Sequence, residues 1–149
     1  ERILTTAKGK LQSVKSALAF LYLQRGTPCI YYGTELALIG GPDPDCRRVM
    51  PWERVSADND MLNFMKDLIQ LRKEVAGVIQ HGKVSLEEVE PDVVAVEWQH
   101  EGHILKAYFN HSKKDFVLER GQADLISLGS VSGEQLTIQP NGFVIYRED

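Results

Sequence analysis

Residues 40–52, GGPDPDCRRVMPW, contain the side chains of this sequence whose types and spacing best suit binding chemistry. Asp43 and Arg47 are four residues apart on a stretch that prolines stiffen. A carboxylate and a guanidinium at this spacing can hydrogen-bond neighbouring hydroxyl groups of a sugar, the first as acceptor and the second as a fork of donors. The same two groups can instead form an ion pair that only holds the loop in shape. The spacing leaves both interpretations open.

Aromatic residues flank this loop on both sides. Tyr31 and Tyr32 precede it, and Trp52 ends it. Flat aromatic rings stack on the apolar faces of sugar rings, but they also fill hydrophobic cores. We expect Tyr31 to belong to the core, and both interpretations stay open for Tyr32 and Trp52. Glu35 has no partner carboxylate nearby in the sequence, which favours a hydrogen-bonded structural residue over a catalytic acid.

Other kinds of site are not indicated. His100 and His103 flank a predicted tight turn with no cysteine nearby, and His111 lies in a predicted loop, so we expect no metal site. The sequence has no GxSxG, P-loop or dinucleotide-binding fingerprint, and we expect no cofactor. The net charge of -4 and the scattered basic residues argue against nucleic acid as a partner.

Cysteine usage and hydropathy indicate the compartment. Cys29 and Cys46 do not make a disulfide framework, and free thiols are typical of a reducing compartment such as the cytoplasm. No apolar stretch approaches the ~20 residues that span a bilayer, so we expect no membrane partner. The first residue is Glu1 rather than methionine, and we expect the chain to be part of a longer protein.

The first half of the chain has the hydrophobic period of helices. Residues 10–25 place apolar side chains at helical spacing, and Gly26 ends that pattern. The short apolar run CIYYG at 29–33 predicts a strand buried on both faces. A second helix is predicted from a cap at 58–60 to near Gly77. This order is typical of parallel α/β proteins, but one strand and two helices cannot close such a fold.

After residue 80 the hydrophobic period becomes two. Residues 93–98 place Val94, Val96 and Trp98 on one face, and a turn at Gly102 leads into the alternating run 104–109. Pro140-Asn141-Gly142 is a further turn signal. Additional short strands are predicted at 116–119, 125–128, 135–139 and 143–147. The pattern predicts an antiparallel β-sandwich. We therefore divide the chain into 1–79 and 80–149 and expect the two halves to pack against each other.

With these residues in view, the chain resembles the C-terminal end of the alpha-amylase family of glycoside hydrolases, family thirteen, and most closely its neopullulanase and cyclomaltodextrinase branch. The resemblance covers essentially the whole chain. Its motifs are QRGTPCIYYGTELAL at 24–38, the loop at 40–52, LIQLRKE at 68–74 and QPNGFVIYR at 139–147. It implies the last helix, strand and helix of a truncated (β/α)8 barrel, followed by a Greek-key β-sandwich.

The resemblance also implies a role for the loop. The loop would lie at the C-terminal mouth of the eighth barrel strand, where barrel enzymes build their active sites. In the family, the Asp and Arg of a D-P-x-x-R pattern bind a glucose unit on the non-reducing side of the cleavage point. Asp43 and Arg47 match that pattern, which favours substrate binding over a purely structural ion pair. Tyr32 and Trp52 are further candidates for contact with an α-glucan or cyclodextrin.

The catalytic carboxylates, by the same resemblance, lie outside this chain. Family members cleave α-glucosidic bonds by the retaining route, with one carboxylate as nucleophile and another as acid/base. A third carboxylate belongs to an HD pair that precedes a stretch like TERIL, and this chain opens with ERIL. We therefore expect no catalytic residue here, and an inactive C-terminal fragment of a hydrolase or transglycosylase.

Two further expectations concern the chain by itself. Uncovered apolar faces at an incomplete barrel end predict self-association. The sandwich is expected to brace the barrel of the complete enzyme. An alternative from another class is a free-standing module that binds starch or a partner protein, and measurable affinity of the chain alone for maltooligosaccharides would favour it.

Overall fold

The computed structural model describes residues 1–119, 124–126 and 135–148. The helices are α1 (Ile3–Thr6), α2 (Leu11–Tyr22), α3 (Asp60–Glu74) and α4 (Ala76–His81). Short 3-10 turns lie between α2 and α3, at Thr34–Leu36, Asp45–Arg47 and Trp52–Arg54. The strands are β1 (Lys83–Glu90), β2 (Val93–His100), β3 (His103–Asn110), β4 (Phe116–Glu119), β5 (Asp124–Ile126), β6 (Gln135–Ile138) and β7 (Phe143–Glu148).

The two long helices form where the apolar spacing predicts them. Helix α2 lies within the predicted range 10–25, and α3 begins after Asn59. The Asn59 side chain accepts a hydrogen bond from the backbone N–H of Leu62 at 2.9 Å, which satisfies one of the free donors at the start of α3. The chain bends at Val75, and the separate helix α4 follows, so the helical region extends past the predicted end near Gly77.

The predicted buried strand at 29–33 is wrong. These residues have no strand pairing, and the side chains of Ile30 and Tyr31 are 36% and 51% exposed. A strand forms only where a neighbouring strand receives its backbone hydrogen bonds, and no strand of the described residues lies beside this run. In this structure, the segment between α2 and the 40–52 loop is therefore irregular.

The antiparallel sandwich is confirmed. One sheet has five strands in the order β1-β2-β3-β7-β5, and the second sheet pairs β4 with β6. At the predicted β2–β3 turn, Glu101 and Gly102 have φ angles of 49° and 86°, as a tight hairpin turn requires. Strand β1 was not predicted, and all of its residues are exposed. Of the strand predicted at 125–128, residues 127 and 128 lie outside the described residues.

The helices and the sheet share one hydrophobic core. Trp98, Leu105 and Ile145 on one face of the five-stranded sheet pack with buried side chains of α2 and α3, such as Leu18 and Leu68. A second cluster lies between the other face and the β4–β6 pair, formed by Val93, Phe116, Leu136, Ile138, Val144 and Tyr146. The expected packing of the two halves against each other is confirmed. The boundary at residue 80 falls within α4 and stays a prediction.

No helix in the part of the chain that the structure describes is long and apolar enough to cross a membrane.

The junction between α4 and β1 leaves no room for a side chain at Gly82. A Cβ atom there would lie 2.3 Å from the carbonyl oxygen of Val78. We expect Gly82→Ala to lower the free energy of unfolding by about 2 kcal/mol, measured by urea denaturation. Gly77→Ala is the matched control, because a Cβ at Gly77 meets nothing within 4 Å. That change should instead raise stability by about 0.5–1 kcal/mol, and equal effects at both glycines would contradict the prediction.

Candidate functional site

Asp43 and Arg47 form an open ion pair on the 40–52 loop. The Nε of Arg47 donates a hydrogen bond to Oδ1 of Asp43 at 2.7 Å. The side chains of Arg47 and Asp43 are 69% and 63% exposed. A cis peptide bond joins Asp43 to Pro44, and the 3-10 turn Asp45–Arg47 follows. The structure thus brings the predicted pair together at the surface, where other molecules can reach it.

A second ion pair beside the first holds the shape of the loop. Arg48 donates two hydrogen bonds to the two carboxylate oxygens of Asp45, at 2.8 and 2.9 Å, and the backbone N–H of Gly41 donates a third at 2.6 Å. The bonds from Arg48, and then the bond from Gly41, lower the pKa of Asp45. The sequence offered both a binding and a shaping interpretation for one ion pair. The structure contains two ion pairs on the loop. In the Asp45–Arg48 pair, both carboxylate oxygens of Asp45 accept hydrogen bonds.

Arg2 anchors the loop to the body of the chain, although the side chain is only 4% exposed. Its Nε donates to the carbonyl oxygen of Cys46 at 2.7 Å, and its Nη1 donates to the carbonyl oxygen of Tyr32. Its backbone N–H bonds to the carbonyl oxygen of Gly40 at 2.8 Å. The guanidinium carbon also lies 4.4 and 4.5 Å from the ring centres of Tyr31 and Tyr32, which are cation–π distances.

Sequence reasoning missed Arg2. The carbonyls that its side chain contacts, those of Tyr32 and Cys46, are 30 and 44 residues away along the chain. No spacing rule links positions so distant, and a single arginine near the start of a short helix carries no signal of its own. Only the folded chain shows the contact.

A cleft of about 550 Å³ adjoins the open ion pair. Its lining includes Asp43, Cys46 and Arg47 from the loop, Ile30 and Tyr31 from the segment before it, and Arg2. The volume lies in the range of small-molecule sites, and apolar surface with a few polar groups is the usual composition of such sites. The cleft can therefore offer a sugar both an aromatic face and a charged hydrogen-bonding pair.

Of the three aromatic candidates, Tyr31 lines the cleft and the other two do not. Tyr31, which we expected in the core, is 51% exposed and lines the cleft, so that prediction is wrong. Tyr32 is 38% exposed, its hydroxyl donates to the carbonyl oxygen of Arg48 at 2.9 Å, and it does not line the cleft. Trp52 is 71% exposed and also lies outside the cleft lining. A sugar contact at Tyr32 or Trp52 stays a prediction.

The other candidates from the sequence are Glu35, the two cysteines and the possible metal ligands. Oε2 of Glu35 is buried and has no hydrogen-bond partner among the described residues, so the expected hydrogen-bonded role is not found at that atom. Cys29 and Cys46 are free thiols, as predicted. Within residues 1–119, 124–126 and 135–148, no three His, Cys, Asp or Glu residues are grouped as metal ligands would be.

Comparison with known proteins places this chain in a family. The chain is 33% identical over 153 aligned positions to the cyclomaltodextrinase of Thermoanaerobacter pseudethanolicus, which covers 99% of the chain. It is 38% identical over 112 positions to the intracellular maltogenic amylase of Bacillus subtilis, which covers 74% of the chain. The maltogenic amylase of S. marinus has a solved structure that superposes with a TM-score of 0.79 over 98% of the chain at 25% identity. No protein-family model matches the chain.

The chain therefore belongs to the alpha-amylase family of glycoside hydrolases. Within that family its relatives are of the maltogenic amylase, cyclomaltodextrinase and neopullulanase type, including neopullulanase 2 of Thermoactinomyces vulgaris at 36% identity over 124 positions. The chain spans only 26% of the length of the cyclomaltodextrinase and 19% of that of the Bacillus enzyme.

Proposed function

We propose that this chain is the C-terminal part of a retaining α-glucan hydrolase or transglycosylase of the neopullulanase, cyclomaltodextrinase or maltogenic amylase type. The observation that carries the proposal is the exposed Asp43–Arg47 ion pair beside a cleft of about 550 Å³. The names of the relatives supply the substrate class, which is α-glucans and cyclodextrins. The free thiols of Cys29 and Cys46 support a cytoplasmic location, as does the intracellular relative.

The chemistry of the pair suits the recognition of a glucose unit. Asp43 can accept hydrogen bonds from sugar hydroxyls, and Arg47 can donate to them. In the described residues only Nε of Arg47 is engaged, and the bond that it makes at 2.7 Å holds the carboxylate and the guanidinium in a fixed relation. Binding then loses less conformational entropy than it would with two independent side chains. The exposed ring of Tyr31 offers a stacking surface in the same cleft.

The test of this role uses the complete enzyme that contains this chain. We expect Asp43→Ala and Arg47→Ala each to raise KM for a maltooligosaccharide about tenfold, because each removes charge-assisted hydrogen bonds to the sugar. Glu53→Ala and Arg54→Ala are matched controls, since these exposed charges lie in a neighbouring turn outside the cleft lining. A KM that stays within about twofold of the parent value for both cleft variants would contradict the proposal.

The chain itself supplies no catalytic carboxylate in this proposal. The resemblance assigns the nucleophile, the acid/base and the third carboxylate to earlier parts of the family's fold. The role left to residues 80–149 is to brace the barrel, and the shared core of helices and sheet supports that role. Assays of the chain alone with β-cyclodextrin should therefore detect no product. Maltooligosaccharide binding by the chain alone, lost on Asp43→Ala, would favour a free-standing binding module instead.

Exposed apolar side chains predict self-association of the isolated chain. Phe20 and Leu21 on α2 are 38% and 46% exposed. Earlier barrel elements would cover these side chains in the complete enzyme, and without them a second copy of the chain can do so. Sedimentation velocity at increasing concentration should show dimers or larger species. A monodisperse monomer throughout would rule this out.

A further inference from the structure

We propose that Arg2 is the positioning residue of the glucan-binding loop: it fixes the place of Asp43 and Arg47 through the backbone between them. The inference rests on the proposed function of that pair. Arg2 also lines the cleft, but its side chain is only 4% exposed and bonded to backbone carbonyls, so in this proposal it acts through the loop.

The contact with Cys46 connects Arg2 directly to the ion pair. Cys46 immediately precedes Arg47 and belongs to the same 3-10 turn. Its carbonyl oxygen accepts the Nε bond from Arg2 at 2.7 Å. Its thiol also lies 3.8 Å from Oδ1 of Asp43, the oxygen that binds Arg47. A shift of the Cys46 backbone would therefore displace both members of the pair.

Arg2 joins this turn to two other segments of the chain. Nη1 bonds to the carbonyl oxygen of Tyr32, and the backbone N–H bonds to that of Gly40. One residue thus connects the segment before the loop, the start of the loop and the turn that carries the pair. A planar guanidinium with several fixed donors suits such a junction, and an ammonium group cannot reproduce its geometry.

The packing around Arg2 leaves little freedom for the loop to adjust. A Cβ added to Gly40 would lie 2.9 Å from Cα of Cys46 and 3.1 Å from Cγ of Arg2. The backbone N–H of Gly40 donates to Oγ1 of Thr5 at 2.9 Å, which ties the start of the loop to α1 as well. The two ion pairs of the loop connect only loop residues to each other. They hold the local shape of the loop, while Arg2 and Thr5 hold its position on the chain.

The first experiment measures KM and kcat in the complete enzyme. We expect Arg2→Met to raise KM for a maltooligosaccharide about tenfold with kcat within about twofold, since substrate binding loses its preset geometry. Arg2→Lys keeps the charge and should give an intermediate KM. In the Asp43→Ala, Arg47→Ala double variant, Arg2→Met should change KM by less than about twofold, because the pair on which Arg2 acts is gone. A purely structural role predicts the same fold-change in both backgrounds.

A second pair of variants keeps the inference testable if Arg2→Met does not fold. Thr5→Val removes the bond to Gly40 and should raise KM about threefold. Thr27→Val is its matched control, since Thr27 is exposed and lies outside α1, the loop and the cleft lining, and its KM should not change.

The outcomes separate this inference from the proposed function. If Asp43→Ala and Arg47→Ala leave KM unchanged, the proposed function fails. If those two variants raise KM while Arg2→Met and Thr5→Val do not, the positioning role of Arg2 is overturned and the proposed function stands. If Arg2→Met cannot be purified, an unchanged KM for Thr5→Val overturns the inference.

Discussion

Arg72→Met is expected to lower the free energy of unfolding by about 3 kcal/mol, because it removes hydrogen bonds to three carbonyl groups, one of which is buried. Arg72 lies in α3, and its side chain bonds to the carbonyl oxygens of Tyr22 and Gln24 and, at 2.7 Å, to that of Gly26. These carbonyls lie at and just beyond the C-terminal end of α2, where helix carbonyls have no partner within the helix. A positive charge at this end of a helix is favourable as well.

The charge of Arg72 persists despite its burial. Desolvation lowers the pKa of Arg72 from its ordinary value, but an arginine remains protonated near neutral pH. Methionine keeps most of the aliphatic volume, so the loss in stability reports the hydrogen bonds and the charge rather than a cavity. Arg72→Lys retains one charge but not the three bonds, and we expect a loss of about half the size.

Urea denaturation followed by far-UV circular dichroism measures both changes. Arg54→Met is the matched control, because Arg54 is exposed and makes no side-chain hydrogen bond to the described residues. That variant should lie within about 0.5 kcal/mol of the parent. An Arg72→Met variant as stable as Arg54→Met would show that the contacts of Arg72 with the end of α2 contribute nothing.

The parts of the fold that local rules determine could be predicted from the sequence. Helices α2 and α3 follow from apolar spacing and from a cap at Asn59, because a helix satisfies its backbone hydrogen bonds within itself. The β2–β3 hairpin follows from strict alternation and a glycine at the turn. Each of these signals lies within a few residues of the element that it predicts.

Elements whose formation depends on distant partners could not be predicted in the same way. The apolar run at 29–33 has the composition of a buried strand, but the described chain offers it no neighbouring strand, so its side chains stay exposed. Strand β1 shows the opposite case. Its exposed residues lack a clear alternating pattern, and it forms because β2 provides an edge for pairing.

The residues of the candidate site also fall into two groups: those that the local sequence predicts, and those that depend on distant contacts. Asp43 and Arg47 lie within one turn of chain, and their pairing follows from the motif. The exposure of Tyr31 depends on what covers the irregular segment, which the residue type cannot reveal. The anchoring role of Arg2 depends on a contact across 44 positions. Spacing therefore predicted that Asp43 and Arg47 could pair, but only the fold shows what supports the pair.

Trp98→Ala should lower the free energy of unfolding by about 4 kcal/mol, through lost burial and the cavity left behind. Trp98 is 1% exposed, on the face of β2 that packs against the helices. Trp52→Ala is a control of the same residue type, since Trp52 is 71% exposed and lies outside both hydrophobic clusters. The control should change stability by less than about 0.5 kcal/mol.

The shape of the unfolding transition tests whether the helices and the sandwich depend on each other. Trp98 belongs to the sheet and Arg72 to α3, yet both lie in or against the core that joins the two halves. If that core makes folding cooperative, Trp98→Ala and Arg72→Met must each shift a single transition that includes helix and strand signals alike. Two separate transitions, with Trp98→Ala lowering only the strand signal, would show that 1–79 and 80–149 unfold independently and that the sandwich does not brace the helices.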